Sequence, residues 1–146
     1  MLISDLAQFT MSRLATVAHE TSSVCDAANV FADGRLGLII VCDAAGGAVG
    51  VVSKSDFVRY LARRGDVEAP VSGIMTASVT AASPADELRS TWELMTWQRL
   101  QNLPLLAPDR RPIGTLDIRD ALRAILEAEE AQETHLINYI AGYGYH

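Results

Sequence analysis

Two short stretches of the chain carry residue types that could hold a nucleotide. Gly50-Val-Val-Ser-Lys-Ser-Asp56 is followed 64 residues later by Gly114-Thr-Leu-Asp-Ile-Arg-Asp120. In each, a glycine stands in a short apolar run, a cap-type residue (Ser53 or Asp117) follows, and an aspartate falls in the first turn of a helical stretch. Backbone N–H groups and the positive dipole end at a helix start attract phosphate, a serine hydroxyl can join them, and a nearby carboxylate can hold a ribose diol. The competing reading is structural: a serine with an acid three residues on is close to the capping box, which satisfies the same N–H groups internally. The residues alone leave both open.

The two junctions are not equivalent. Asp117 stands where Ser53 does, so a carboxylate would meet any phosphate at the second junction. Like charges a few ångströms apart cost on the order of 1 to 4 kcal/mol at effective dielectrics of 80 to 20. That junction is expected to bind phosphate poorly, to take an uncharged or cationic ligand, to share a divalent ion with phosphate, or simply to cap its helix. Asp120 could still hold a ribose. Lys54 adds charge beside the first junction or faces water, and Arg59 and Arg123 stand three residues after Asp56 and Asp120. That spacing allows a local ion pair or a reach toward phosphate across a cleft. His19, His135 and His146 match no metal spacing, and no nucleophile, base and acid set suggests catalysis.

The elements that must position these groups are themselves duplicated. At the same offset Met11 falls on Met75, Thr16 on Thr80, Val24 on Leu88, Ala28 on Trp92, Phe31 on Met95 and Val41 on Leu105. Two copies are too few for a solenoid, so they should pack on each other as one pseudo-symmetric unit. Each reads as strand, helix, strand, strand, helix. The first copy predicts an extended run over 13–18, a helix over 23–32 with Val24, Ala27, Ala28 and Phe31 on one face, strands over 36–42 and 48–52, and a helix over 54–64 ending at Gly65. In the second, Ser83-Pro84-Ala85-Asp86 reads as a helix start, with Leu88, Trp92 and Met95 as the core face and Leu94 and Trp97 beside it. The linker 66–72 reads as extended. From Ile118 one helix is predicted to Ile140, acidic at Glu127, Glu129, Glu130 and Glu133 and then apolar at Leu136, Ile137 and Ile140.

This arrangement resembles the CBS domain, named after cystathionine beta-synthase, in its tandem form. The resemblance rests on Met11-Ser12 with Gly50 to Asp56, on Met75-Thr76 with Gly114 to Asp120, and on Pro70 to Thr76 as the linker. It implies an α/β (α+β) fold of two β-α-β-β-α repeats packed sheet to sheet over residues 1–146, the repeats spanning 10–65 and 74–127 and a helical tail 128–146. It also implies a regulatory module, free-standing and without a required cofactor, whose pseudo-twofold-related clefts take an adenosine-containing ligand: AMP, ADP, ATP, NAD(H) or S-adenosylmethionine. Carried over to this chain, Asp56 and Asp120 would hold ribose, Ser53 would meet phosphate, and adenine would lie near Thr16, Val17, Ile39 and Ile40. A homodimer through amphipathic helices, acting on an unknown target protein, is implied as well. Leu94 matches Val30 and Trp97 matches Asp33, which would make its two faces unequal.

Composition bounds the rest. With 146 residues, a net charge of −6, eleven arginines and a single lysine, the chain suits one domain and lacks the basic excess of a nucleic-acid binder. Cys25 and Cys42 read as buried free thiols of a reducing compartment. No signal peptide and no long apolar run is present, so a cytoplasmic location without membrane insertion is expected. The alternative to a ligand sensor is an interaction or dimerisation scaffold in which both junctions are capped helices and the tail is the working part.

Overall fold

The apolar runs of the first copy fold in the order read. The computed structural model describes residues 1–6, 14–19, 21–32 and 36–144; Met11, Ser12, Asp33 and His146, singled out above, lie outside them. Strand β1 (Thr16–Ala18) leads to helix α1 (Val24–Phe31), strands β2 (Leu38–Cys42) and β3 (Ala48–Ser53), and helix α2 (Lys54–Ala62). The second copy supplies α3 (Leu88–Gln98), β4 (Asn102–Leu106), β5 (Pro112–Asp117) and the long α4 (Ile118–Gly144). Every one of these second-copy elements begins 64 residues after its counterpart, and the register irregularities at Val41/Cys42 and Leu105/Leu106 keep the same offset.

β1 runs parallel to β2, which pairs antiparallel with β3; β4 and β5 form a separate antiparallel pair. The second copy's lead-in strand shrinks to a single parallel bridge between Ala82 and Leu105. β2 is buried over four successive residues, as expected of a strand covered on both faces, whereas β3 alternates. One face of the first sheet packs Ile39, Val41 and Val52 against Val24, Ala27 and Phe31 of α1 and Phe57 of α2. Phe31 and Phe57 meet edge to face at 5.3 Å, which fixes the two helices relative to each other. The second core gathers Leu88, Met95, Leu103, Leu105, Leu116 and Ile125. Between the sheets Ile40, Ala48 and Leu106 form a third, smaller cluster.

Three features join the copies. Thr76, at the start of the second copy, exchanges backbone hydrogen bonds with Val51 of β3 (2.8 and 3.0 Å). Arg110, in the β4–β5 turn, accepts the N–H of Ala48 on its carbonyl (3.0 Å) and donates from its guanidinium to the Ala48 carbonyl (3.2 Å). The segments that precede the repeats are also exchanged. The turn Ile3–Leu6 lies on the second repeat and buries Ile3 in its core, while Val71 of the turn Val71–Gly73 is buried in the first.

Local expectations shift in four places. The first strand is shorter than read, Thr16–Ala18, and the linker forms turns that end in a short 3-10 helix in place of an extended run. α3 starts at Leu88, capped by Glu87, whose side chain accepts from Ser90 N–H. Ser83 makes a separate turn, accepting from Ala85 N–H at 3.2 Å. Both cysteines are free but only half-buried. Desolvation, and then the neighbouring Asp43 charge, raise the Cys42 thiol above its ordinary pKa.

Candidate functional site

The geometry of β3 decides what the first junction can do. Gly50 is buried, and a Cβ there would come within 2.8 Å of Met75 Cγ and closer still to its sulfur. The glycine therefore lets the start of the second copy lie flat on β3. Three residues on, Ser53 and Asp56 form a reciprocal capping box. Ser53 N–H donates to Asp56 Oδ2 (2.8 Å), and Asp56 N–H donates to Ser53 Oγ (3.3 Å). The structural reading of this motif is thus realised. The Ser53 hydroxyl still has its own proton to donate.

At the second junction the carboxylate is not bare. Asp117 Oδ1 accepts the N–H of Arg119 (2.8 Å), and the Arg119 guanidinium grips both oxygens, Nε to Oδ1 at 3.1 Å and Nη2 to Oδ2 at 2.9 Å. Asp117 is mostly covered, with its side chain 12% exposed, while that of Arg119 is 82% exposed. The paired carboxylate raises the arginine's pKa, chiefly through the hydrogen bond. The repulsion expected from Asp117 is therefore countered by a cation within the same turn. Asp120 lies 3.9 Å from Arg123, the local pairing expected at that spacing.

The two junctions meet across one cleft of about 560 Å³ between the repeats. Ser53, Lys54 and Arg59 line it from the first repeat, and Arg99, Asp117 and Arg119 from the second. Its floor is tight: a Cβ on Gly37, just before β2, would come within 2.8 Å of Asn102 Cγ at the start of β4. Of the seven residues expected to bind ligand, Ser53 is the one on this wall. Asp56 and Asp120 are half-buried behind their junctions. Thr16 is exposed on β1 beside Ile40, and Val17 is half-buried against the first core. Ile39 and Ile40 are wholly enclosed, one in the first core and one between the sheets. Their side chains thus offer no surface to a purine in this arrangement, because β2 is covered on both faces.

Arg99 and Arg119 were not singled out in the sequence. Arg119 hides as a spacer position between Asp117 and Asp120. Arg99 ends α3 in the left-handed region (φ 57°), donating its N–H to Met95 and Thr96 carbonyls. That position is usually marked by glycine, and an arginine there gives no local signal. Among the described residues no group of three or more His, Cys, Asp or Glu could hold a metal ion, and no helix is long and apolar enough to cross a membrane.

Comparison with known proteins agrees with this architecture. The family model for the CBS domain matches twice, over residues 3–63 and 71–127. An uncharacterised 17.7 kDa protein of Acidianus ambivalens is 27% identical over 92% of this chain and 93% of its own length. Among solved structures, the CBS domain pair of protein MJ0100, in complex with 5′-methylthioadenosine and S-adenosyl-L-methionine, superposes with a TM-score of 0.74 at 21% identity, covering 88% of this chain and 98% of that one. The CBS domain protein PAE2072 of Pyrobaculum aerophilum, complexed with AMP, gives a TM-score of 0.72 at 22% identity over 82% and 89% of the two chains.

Proposed function

The chain belongs to the CBS domain family, with two copies in tandem, and from that premise we propose that it is a regulatory module, not an enzyme, that binds an adenosine-containing ligand between its repeats. The observation that carries this is the cleft where both junctions converge, lined by Ser53 and by four cationic side chains. Solved relatives in complex with AMP or with S-adenosyl-L-methionine support the adenosine part. Ser53 meets phosphate. On this reading the ligand's hydroxyls lie toward Asp56 and Asp120 and its base toward Thr16, Val17, Ile39 and Ile40, which flank this cleft without lining it. NAD(H), ADP and ATP belong to the same ligand class. The module works in the cytoplasm as a homodimer, using the exposed apolar residues Val58 and Leu61 of α2 and Leu94 and Trp97 of α3. A ligand acts on such an assembly only through its different affinity for two arrangements.

Thermal unfolding against AMP, ADP, ATP, NADH and S-adenosylmethionine tests the reading. A ligand at about 100 times its dissociation constant adds about 2.7 kcal/mol, several degrees for a domain of this size. The shift should vanish in Asp56→Ala, measured from that variant's own baseline. A second reading, a ligand-free interaction scaffold, is favoured by one observation: Leu136, Ile137, Tyr139 and Ile140 on α4 are each more than half exposed. An absence of any shift would leave that reading standing.

A further inference from the structure

We propose that the cleft between the repeats selects a ligand with two or more linked phosphates, gripped by cations from both repeats, over a nucleoside monophosphate or a cationic sulfonium nucleoside. The nucleoside half of this inference rests on the adenosine-ligand reading; the phosphate half rests on the cleft's own charge. Lys54 and Arg59 reach it from α2, Arg99 from the end of α3 and Arg119 from the start of α4. These are four of the twelve lysines and arginines of a chain whose net charge is −6, gathered on one wall system. The one carboxylate on that wall, Asp117, is paired with Arg119, so four cations less one carboxylate leave the lining with a net positive charge carried chiefly by Lys54, Arg59 and Arg99.

Size and chemistry agree with charge. About 560 Å³ lies within the range of roughly 300 to 1,000 Å³ that small-molecule sites occupy. The amides of Gln101 and Asn102 and the hydroxyl of Ser53 add hydrogen-bond donors among the cations. Each further phosphate brings more negative charge to a wall whose cations come from both repeats. The four are exposed, so each contributes modestly and the attraction is screened by salt. Selection comes from their number. A sulfonium nucleoside brings positive charge to the same wall and is disfavoured.

The test is calorimetric titration of the full chain, without divalent ions, at about 50 and 200 mM salt. The probes are ATP, ADP, AMP, adenosine, S-adenosylmethionine and inorganic tripolyphosphate. The expected order is ATP, ADP, AMP, adenosine, with ATP at least about tenfold tighter than AMP at low salt and the gap shrinking at high salt. Lys54→Gln and Arg99→Gln should each weaken ATP by about two- to fivefold and leave adenosine unchanged; Arg63→Gln, outside the cleft, should do neither. AMP or adenosine binding as tightly as ATP, or S-adenosylmethionine binding more tightly, would overturn the polyphosphate inference and leave the adenosine reading intact. Binding of tripolyphosphate with no binding of any adenosine compound would uphold the polyphosphate cleft and defeat the adenosine reading. Silence from every probe would defeat both.

Discussion

Gly50 and Arg99 show how single positions trade stability against function. Gly50 has Met75 where a side chain would go, and overpacked sites of this kind cost about 1 to 3 kcal/mol. Gly50→Ala should therefore lower the unfolding free energy measured in urea by that amount. Adding Met75→Ala should recover part of the loss, because it removes the Cγ and sulfur that the new methyl meets; two additive losses in this double-mutant cycle would refute the contact. Arg99 is the converse case. A non-glycine residue in the left-handed region costs roughly 1 to 2 kcal/mol, and here its side chain stands on the cleft wall. Arg99→Gly should leave the unfolding free energy unchanged or raise it by up to about 1 kcal/mol, while weakening any phosphate-bearing ligand. A fall in both stability and affinity would mean that the arginine is structural.

At the scale of elements, the start of α3 is where charge, pH and legibility meet. Glu87 accepts from Ser90 N–H at 2.6 Å and from the Ser90 hydroxyl at 2.7 Å, and these bonds, the backbone one first, hold its carboxyl below the usual glutamate range. A carboxylate depressed in the folded state contributes stability that is full above its unfolded pKa and is lost as pH falls through the folded value. Thermal midpoints of wild type and Glu87→Gln should accordingly differ at neutral pH and converge in acid; a constant gap would remove Glu87 from the acid response. The helix face of Leu88 and Met95, the strand pairs and the offset of 64 could all be read from the chain, because periodicity and repetition are local signals. The helix start could not. Ser83-Pro84 carries the composition of a cap, but the carbonyls of Pro84 and Asp86 accept from Ser4 N–H (2.8 Å) and Ile3 N–H (3.0 Å), some eighty positions away. Half of the cationic wall, Lys54 and Arg59, could be read beside the first junction, whereas Arg99 and Arg119 were hidden for the same reason: they join that pair only when the repeats close on each other.

The exchange of lead-in segments governs the molecule as a whole. Leu88 N–H donates to the Met1 carbonyl at 2.8 Å, and its counterpart Val24 N–H donates to the Ala69 carbonyl at 2.9 Å. Each repeat thus finishes the first turn of its leading helix with backbone from the segment that precedes the other. Ile3 and Val71 fill the two cores by the same exchange, at 1% and 0% exposure. Neither core is complete within its own repeat, so the two should unfold as one cooperative unit. Both tryptophans, Trp92 and Trp97, report on the second repeat, and Cys25, on α1, reports on the first. Their denaturation curves, by fluorescence and by thiol labelling, should coincide. Ile3→Ala should shift both by the 2 to 4 kcal/mol typical of a buried isoleucine, roughly, although the side chain lies in the second core alone. If only the tryptophan curve moved, the repeats would be separate folding units. A ligand bridging the cleft would then be stabilising an interface between domains, whereas coincident shifts mean that its binding energy is read by the whole fold at once.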